Sequence, residues 1–219
     1  MSQQVQIVLD SDVIIHFIKG NCLSILPKIL PQYKYVILSI VYDRELSRDS
    51  STKAQIDNQI RLLKNIQIIP WKPDSNIIKE FARLNKTKGT GESACLAYCK
   101  FHNNVLASSN LKDTKEYCRT ENITYLTTLD FLWYAKKNKV MTEKECNDFI
   151  QTVISKNSIL PNISITIYTP TINFFIVFNR SCVPISTKTL LRYFQLSVCM
   201  TIQKTKHRCR LLQRCFSEV

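Results

Sequence analysis

A short apolar segment that ends in an acid, VQIVLD at residues 5–10, constrains the fold of this chain more than any other stretch. Residues 5–9 carry no charge, which is typical of a strand buried in a parallel sheet. Asp10 falls where that strand would end, and in open α/β sheets the carboxyl ends of the strands face the ligand crevice. Ser11 and Asp12 are good helix N-cap residues, and apolar residues follow at helical spacing. We therefore expect a strand, an acid and a helix in succession, with Asp10 where chemistry is often done.

Strand-like and helix-like segments alternate up to about residue 155. Amphipathic or well-capped helical segments separate the apolar runs. The predicted strands are residues 5–9, 35–40, 66–71, 105–108 and 123–126. Such alternation predicts an α/β fold: a parallel sheet of about five strands between two layers of helices.

The composition changes beyond residue 155. Residues 156–219 hold nine Lys or Arg and one acid, Glu218, whereas residues 1–155 hold 21 basic and 16 acidic residues. We therefore predict a domain at 1–155 and an appended basic, Cys-rich segment of uncertain order at 156–219. The loss of acids also motivates the hypothesis that this segment comes from a shifted reading frame; an uninterrupted coding sequence would contradict it.

The location of the protein in the cell is predicted from an uncharged stretch at residues 157–179 and from the cysteines. Residues 157–179 are long enough to span a bilayer, but the run contains Pro161 and Pro170, so we expect no membrane helix. The nine cysteines include no C-x-x-C pair, and the first residues do not resemble a secretory signal, which predicts free thiols in the cytoplasm. Cys95, Cys99 and His102 form a weak metal candidate at helical spacing, for which packing on a helical face is the simpler interpretation.

Three acids lie at predicted strand ends or in the helices that follow: Asp10, Glu45 and Glu92. Each alone has an ordinary explanation, such as a turn residue, a solvated helix position or a first-turn acid favoured by the helix dipole. In a doubly wound sheet, however, the three can converge on one crevice and hold a hard divalent cation such as Mg²⁺. A metal-bound water can then attack a phosphodiester.

Several short motifs, taken in order, resemble the PIN-domain family. LDSDVIIHF is similar to its first motif, LSIVYDREL to the second and GTGESACLAYC to the third. The spacing continues through NVLASSNLKDTKEYC and ITYLTTLDFLWYAKKNKVMT, so the resemblance covers about residues 5–155. It implies a metal-dependent ribonuclease, commonly the VapC-like toxin of a toxin–antitoxin pair. RNA is then the substrate, Mg²⁺ or Mn²⁺ the cofactor, and an antitoxin protein and a second copy of the chain are the expected partners.

The resemblance also assigns roles to individual residues. Asp10 and Glu92 would be metal ligands, and Glu45 would complete the acidic cluster or orient the attacking water, so all three are candidate catalytic residues. Where the family usually has a fourth acid, this chain has SSN at residues 108–110. Asn110 would keep an oxygen ligand without the charge. Asp12 and Asp130 are interpreted as helix caps.

Two other functions remain open. A PIN-like fold with a weakened acidic cluster can bind RNA or a protein without cutting. Its candidate phosphate contacts are Lys100, Lys112, Lys115, Arg119, Lys136 and Lys137. A haloacid-dehalogenase-like phosphatase also begins with an apolar strand and D-x-D, here residues 10–12, but the later acid pair that such enzymes need is not found in this sequence.

Overall fold

The computed structural model describes residues 5–171. Residues 1–4 and 172–219, which include most of the predicted basic segment, and the side chains of residues 111–113 lie outside the described part. The strands are β1 (Gln6–Leu9), β2 (Lys34–Leu38), β3 (Ile66–Ile69), β4 (Val105–Ala107) and β5 (Tyr125–Leu126). In this described part they form one sheet in the order β3-β2-β1-β4-β5, and every pairing is parallel.

Helices follow or separate the strands. They are α1 (Ser11–Lys19), α2 (Leu26–Ile29), α3 (Ser39–Val41), α4 (Ser50–Asp57), α5 (Ser75–Leu84), α6 (Thr90–His102), α7 (Leu111–Thr120), α8 (Thr128–Lys137) and α9 (Glu143–Ser155). Two of them continue into π-helical turns, α3 through Tyr42–Leu46 and α4 through Asn58–Leu62. One group of contacts joins α6 to α5, α3 and β1, and another joins α9 to α1 and α8. The expected α/β class, with a five-stranded parallel sheet, is confirmed.

The central strand β1 has helices packed over it and is buried throughout its apolar run. Ile7, Val8 and Leu9 have no exposed surface. Such continuous burial explains why the strand is apolar without alternation. In the register, Ile7 lies opposite Tyr35 on β2 and Val105 on β4. The ends of these neighbouring strands are therefore aligned, and the residues that follow them share one edge of the sheet.

Apolar residues recur at helical spacing in residues 52–65, which predicts one amphipathic helix with Ile56, Gln59, Ile60 and Leu63 on one side. The structure differs from this prediction in the second half of the segment. α4 ends at Asp57, and the chain continues as the π-helical turn Asn58–Leu62. A π-helical turn contains more residues than an α-helical turn and rotates the positions after it. Gln59 is buried, as the helical period predicts, whereas Leu63, which the same period places on the buried side, is 47% exposed.

The described chain continues past α9. Leu160 and Ile165 are buried, and the Tyr168 hydroxyl donates to Asp130 Oδ1 at 2.9 Å. The domain boundary at residue 155 stays a prediction. No helix within residues 5–171 is both long and apolar enough to cross a membrane.

Candidate active site

Asp10 lies directly after the central strand and begins the first helix. It is only 5% exposed, and its carboxylate accepts a hydrogen bond from Ser11 N–H at 2.8 Å. Its backbone is extended (φ −83°, ψ 159°), and the helix starts at Ser11. Asp10 itself is therefore the N-cap of α1, and the expectation that Ser11 or Asp12 fills that position is wrong.

Glu45 reaches the same edge from the segment after β2. It lies in the π-helical turn Tyr42–Leu46, and such turns are frequent at functional sites. Its Oε1 accepts a hydrogen bond from Gly91 N–H at 2.9 Å, and its Oε2 accepts one from the Ser11 hydroxyl. One carboxylate thus joins the first turns of α1 and α6.

Gly91 makes the contact with Glu45 possible. A Cβ at this position would lie 2.7 Å from Glu45 Cδ and 2.9 Å from its Oε2. The sequence predicts a helix that begins after Gly91, with Glu92 in its first turn. That start is wrong, because α6 begins at Thr90 with Gly89 as its N-cap. The glycine of the third motif is therefore explained by the approach of a carboxylate to the helix backbone.

Glu92 and Asn110 lie within hydrogen-bond distance of each other. Glu92 is 8% exposed; its Oε1 accepts from the Thr114 hydroxyl at 2.8 Å and its Oε2 from Asn110 Nδ2 at 3.3 Å. An acid at position 110 would place a second negative charge beside Glu92. The amide instead donates a hydrogen bond to it.

Asp12, which the sequence predicts to be a helix cap, belongs to the same group of acids, because its charge acts on Asp10. Its Oδ1 accepts from Val13 N–H at 2.6 Å, and its Oδ2 accepts from Ser109 N–H at 2.7 Å. Burial raises the pKa of Asp12 to about 6, against the effect of these N–H donors. The D-x-D pattern at a strand end was the signal in the sequence that could have identified it.

Asp10, Asp12, Glu45 and Glu92, which we call the carboxylate cluster, act on each other electrostatically. The pKa of Asp10 is raised well above its ordinary value, first by burial and then by the charge of Asp12, with smaller contributions from Glu45 and Glu92. All three of these neighbouring charges belong to carboxylates and raise the pKa of Asp10. Like charges that act on each other in a buried site are costly unless a proton or a cation compensates them.

The oxygen donors of the carboxylate cluster suit a hard cation, but few of them can bind the same ion. Within residues 5–171, no three His, Cys, Asp or Glu side chains are arranged to bind one metal ion together. Mg²⁺ is commonly held by one or two carboxylates and keeps several waters. The donors available here are carboxylate oxygens and the Asn110 amide oxygen, so they suit Mg²⁺ or Mn²⁺ shared by two acids and water.

The alternative metal candidate on α6 is a packed helical face. Cys95 and Cys99 are buried, and burial raises the pKa of both thiols. The His102 ring stacks on Tyr98 with ring centroids 4.1 Å apart. The structure thus supports the packing interpretation.

Three of the six candidate phosphate contacts already interact with other side chains. Lys100 pairs with Glu80 at 3.3 Å and Glu121 at 3.1 Å, Lys136 pairs with Glu143, and Lys137 lies over the Trp133 ring. Two of the candidates, Lys115 and Arg119, are exposed on α7, the helix that Asn110 begins. The side chain of Lys112 lies outside the described part. Lys115 and Arg119 are therefore the better candidates for contacts with phosphate.

A cavity of about 420 Å³ lies away from the cluster. Its lining includes Lys28, Lys34 and Lys64 but none of the four acids. Lys34 is the first residue of β2, so the cavity lies at the opposite edge of the sheet. The candidate active site is therefore identified from the chemistry of its side chains and not from this cavity.

Comparisons with known proteins give a structural likeness and no sequence family. No protein-family model matches the chain, and no curated protein matches it. Eight chains of solved structures match. Among them is the 2.2 Å structure of VapBC-1 from nontypeable Haemophilus influenzae, at 17% identity and a TM-score of 0.43, with 57% of this chain and 98% of that chain covered. A likeness at this level supports no functional conclusion.

Proposed function

We propose that this chain is a metal-dependent, PIN-like endoribonuclease that hydrolyses RNA phosphodiester bonds. The observation on which the proposal rests is the convergence of Asp10, Glu45 and Glu92, joined by Asp12, at the carboxyl edge of the sheet. The raised pKa of Asp10 supports it, because buried carboxylates that raise one another's pKa are frequent at functional sites.

Each residue of the site has a distinct role in the proposal. Asp10 and Glu92 hold the cation, and the Asn110 amide oxygen is a neutral third ligand. When bound, Mg²⁺ or Mn²⁺ supplies Lewis-acid polarisation of the phosphate and a water of lowered pKa. Glu45 is fixed by Ser11 and Gly91 and orients the attacking water. Exposed Lys115 and Arg119 contact the RNA backbone.

We further propose that the chain is the toxin of a cytoplasmic toxin–antitoxin pair. In that setting an antitoxin protein binds it, and the chain pairs with a second copy of itself. This part of the proposal rests on the resemblance of residues 5–155 to the PIN-domain family.

A PIN-like module that binds RNA or a protein without cutting is the second candidate. Asn110 favours it, because a neutral ligand binds a cation less strongly than a carboxylate does. The arrangement of the acids also favours it, since no three metal-binding side chains in residues 5–171 are placed to share one ion. The phosphatase alternative gives Glu45 and Glu92 no role.

Cleavage of a mixed single-stranded RNA by the full chain tests the proposal. The reactions contain Mg²⁺, Mn²⁺ or EDTA, and the variants are Asp10→Asn, Glu92→Gln and the control Asp148→Asn, an exposed acid on α9. We expect metal-dependent cleavage that falls about 100-fold, or roughly 3 kcal/mol, in the two site variants and is retained in the control. A folded wild-type protein that binds this RNA without cutting it would instead support the binding module.

A further inference from the structure

The loop between β4 and α7, residues 108–110, is held by hydrogen bonds that the proposed reaction does not use. Ser109 Oγ accepts from Thr128 N–H at 2.9 Å and lies 2.8 Å from Thr128 Oγ1. Thr128 Oγ1 in turn lies 2.8 Å from His16 Nδ1. At the other end, Ser109 N–H donates to Asp12 at 2.7 Å. A chain of hydrogen bonds therefore runs from His16 through Thr128 and Ser109 to a member of the carboxylate cluster.

This hydrogen-bond chain is largely buried and closes on one helix. Thr128 has no exposed surface and His16 is 5% exposed. His16 and Asp12 lie one turn apart on α1, so the chain begins and ends on the same helix. Buried polar groups need hydrogen-bond partners, and loss of one partner in such a network leaves the others unsatisfied. The network therefore restricts the position of the loop relative to α1.

The contacts fit one order of hydrogen-bond donation along the chain. Ser109 Oγ accepts the Thr128 N–H, so its own proton has a partner if it donates to Thr128 Oγ1. Thr128 then donates to His16 Nδ1, which accepts in the neutral tautomer with the proton on Nε2. Burial, together with the charge of Lys19, lowers the pKa of His16 to about 4, which agrees with a neutral ring at pH 7.

We propose that His16, Thr128 and Ser109 are positioning residues of the site. Through the Ser109 N–H they orient the Asp12 carboxylate, and through the loop they hold the Asn110 amide against Glu92. The effect of these three residues on cation binding and cleavage rests on the proposed function. The hydrogen-bond chain itself and its donor order do not rest on it.

Substitutions at position 128 test the role in the site. Thr128→Val keeps the shape and the N–H but removes the hydroxyl, and Thr128→Ser keeps the hydroxyl. As a control, Thr152→Val removes the hydroxyl of a half-buried residue on α9. We expect Thr128→Val to weaken Mn²⁺ binding, measured by electron paramagnetic resonance, and to lower kcat, each about 10-fold with KM unchanged. Thr128→Ser restores both values, and Thr152→Val resembles the wild type. Wild-type Mn²⁺ affinity and kcat in Thr128→Val would overturn the proposal.

Two further measurements do not depend on catalysis. Thr128→Val should speed hydrogen exchange at the Ser109 amide, and an unchanged exchange rate would overturn the positioning role even in a chain that neither binds Mn²⁺ nor cuts RNA. In the wild-type protein, ¹⁵N NMR with His16→Gln for assignment reports the tautomer. A proton on Nε2 supports the donor order, and a proton on Nδ1 overturns it, whether or not the Thr128→Val variant folds.

Discussion

At the scale of single residues, the site depends on Gly91 and Glu45. The Glu45 carboxylate accepts the Gly91 N–H and occupies the space where a side chain at position 91 would begin. Gly89, two residues earlier, has no heavy atom within 4 Å of its Cβ position. Position 91 therefore requires a glycine because of the Glu45 carboxylate, whereas position 89 has room for a side chain.

Gly91→Ala should reduce activity more than stability. The new Cβ forces the Glu45 carboxylate to move, so we expect RNA cleavage to fall about tenfold or more. Alanine is favoured over glycine in a helix by about 1 kcal/mol, which offsets part of the crowding in the free energy of unfolding. Gly89→Ala is the matched control, and equal cleavage rates for the two variants would contradict the role given to Glu45.

Asp10 makes stability depend on pH. Its pKa is raised above the ordinary value of 3.8, first by burial, so the folded state binds more protons than the unfolded state between 3.8 and the raised pKa. The contribution of Asp10 to stability is therefore fully present below pH 3.8 and is lost as the pH rises through the raised pKa.

Asp10→Asn should stabilise the metal-free protein at high pH. The amide oxygen can still accept the Ser11 N–H, while the buried charge is removed. In EDTA at pH 8 we expect a gain of at least about 1 kcal/mol in the free energy of unfolding, and near pH 4 almost none, as measured by thermal unfolding. Lower stability of the variant at pH 8 would contradict this account.

At the scale of elements, the strands and the acids at their ends are the features that the sequence predicts best. The apolar run of β1 reflects burial on both faces, and the topology of a parallel sheet places Asp10 and Glu45 after β1 and β2. Glu92 does not follow a strand but lies in the first turn of α6. The turn Tyr42–Leu46 has no local marker of π-helical geometry, so its register could not be predicted. The contact between Asp12 and Ser109 joins residues 97 positions apart and depends on how β1 and β4 pair.

The segment after α9 contributes a testable contact. The Tyr168 hydroxyl donates to Asp130, which also accepts the Thr127 N–H in the capping box of α8. We expect Tyr168→Phe to lower the free energy of unfolding by about 1 kcal/mol in chemical denaturation. Tyr98→Phe is the control, since within the described residues the Tyr98 hydroxyl has no hydrogen bond. Equal stability of both variants would mean that the contact contributes nothing.

At the scale of the whole molecule, the charge distribution sets a condition on function. The chain has 30 Lys or Arg against 17 Asp or Glu, and a net charge of +13 favours a polyanionic partner. The carboxylate cluster is negative, however, and repels a phosphate that approaches it. A divalent cation at the cluster would allow a phosphate to bind there, because it neutralises the acids and attracts the phosphate.

Titration of Mn²⁺ into the full chain, followed by electron paramagnetic resonance, tests the central claim most directly. Wild type, Asp10→Asn, Glu92→Gln and the control Asp148→Asn are compared at pH 7.5. We predict one tight site in the wild type and in Asp148→Asn, with affinity about tenfold or more lower in the other two variants. The claim is contradicted if the wild type binds no Mn²⁺, or if all four proteins bind it equally.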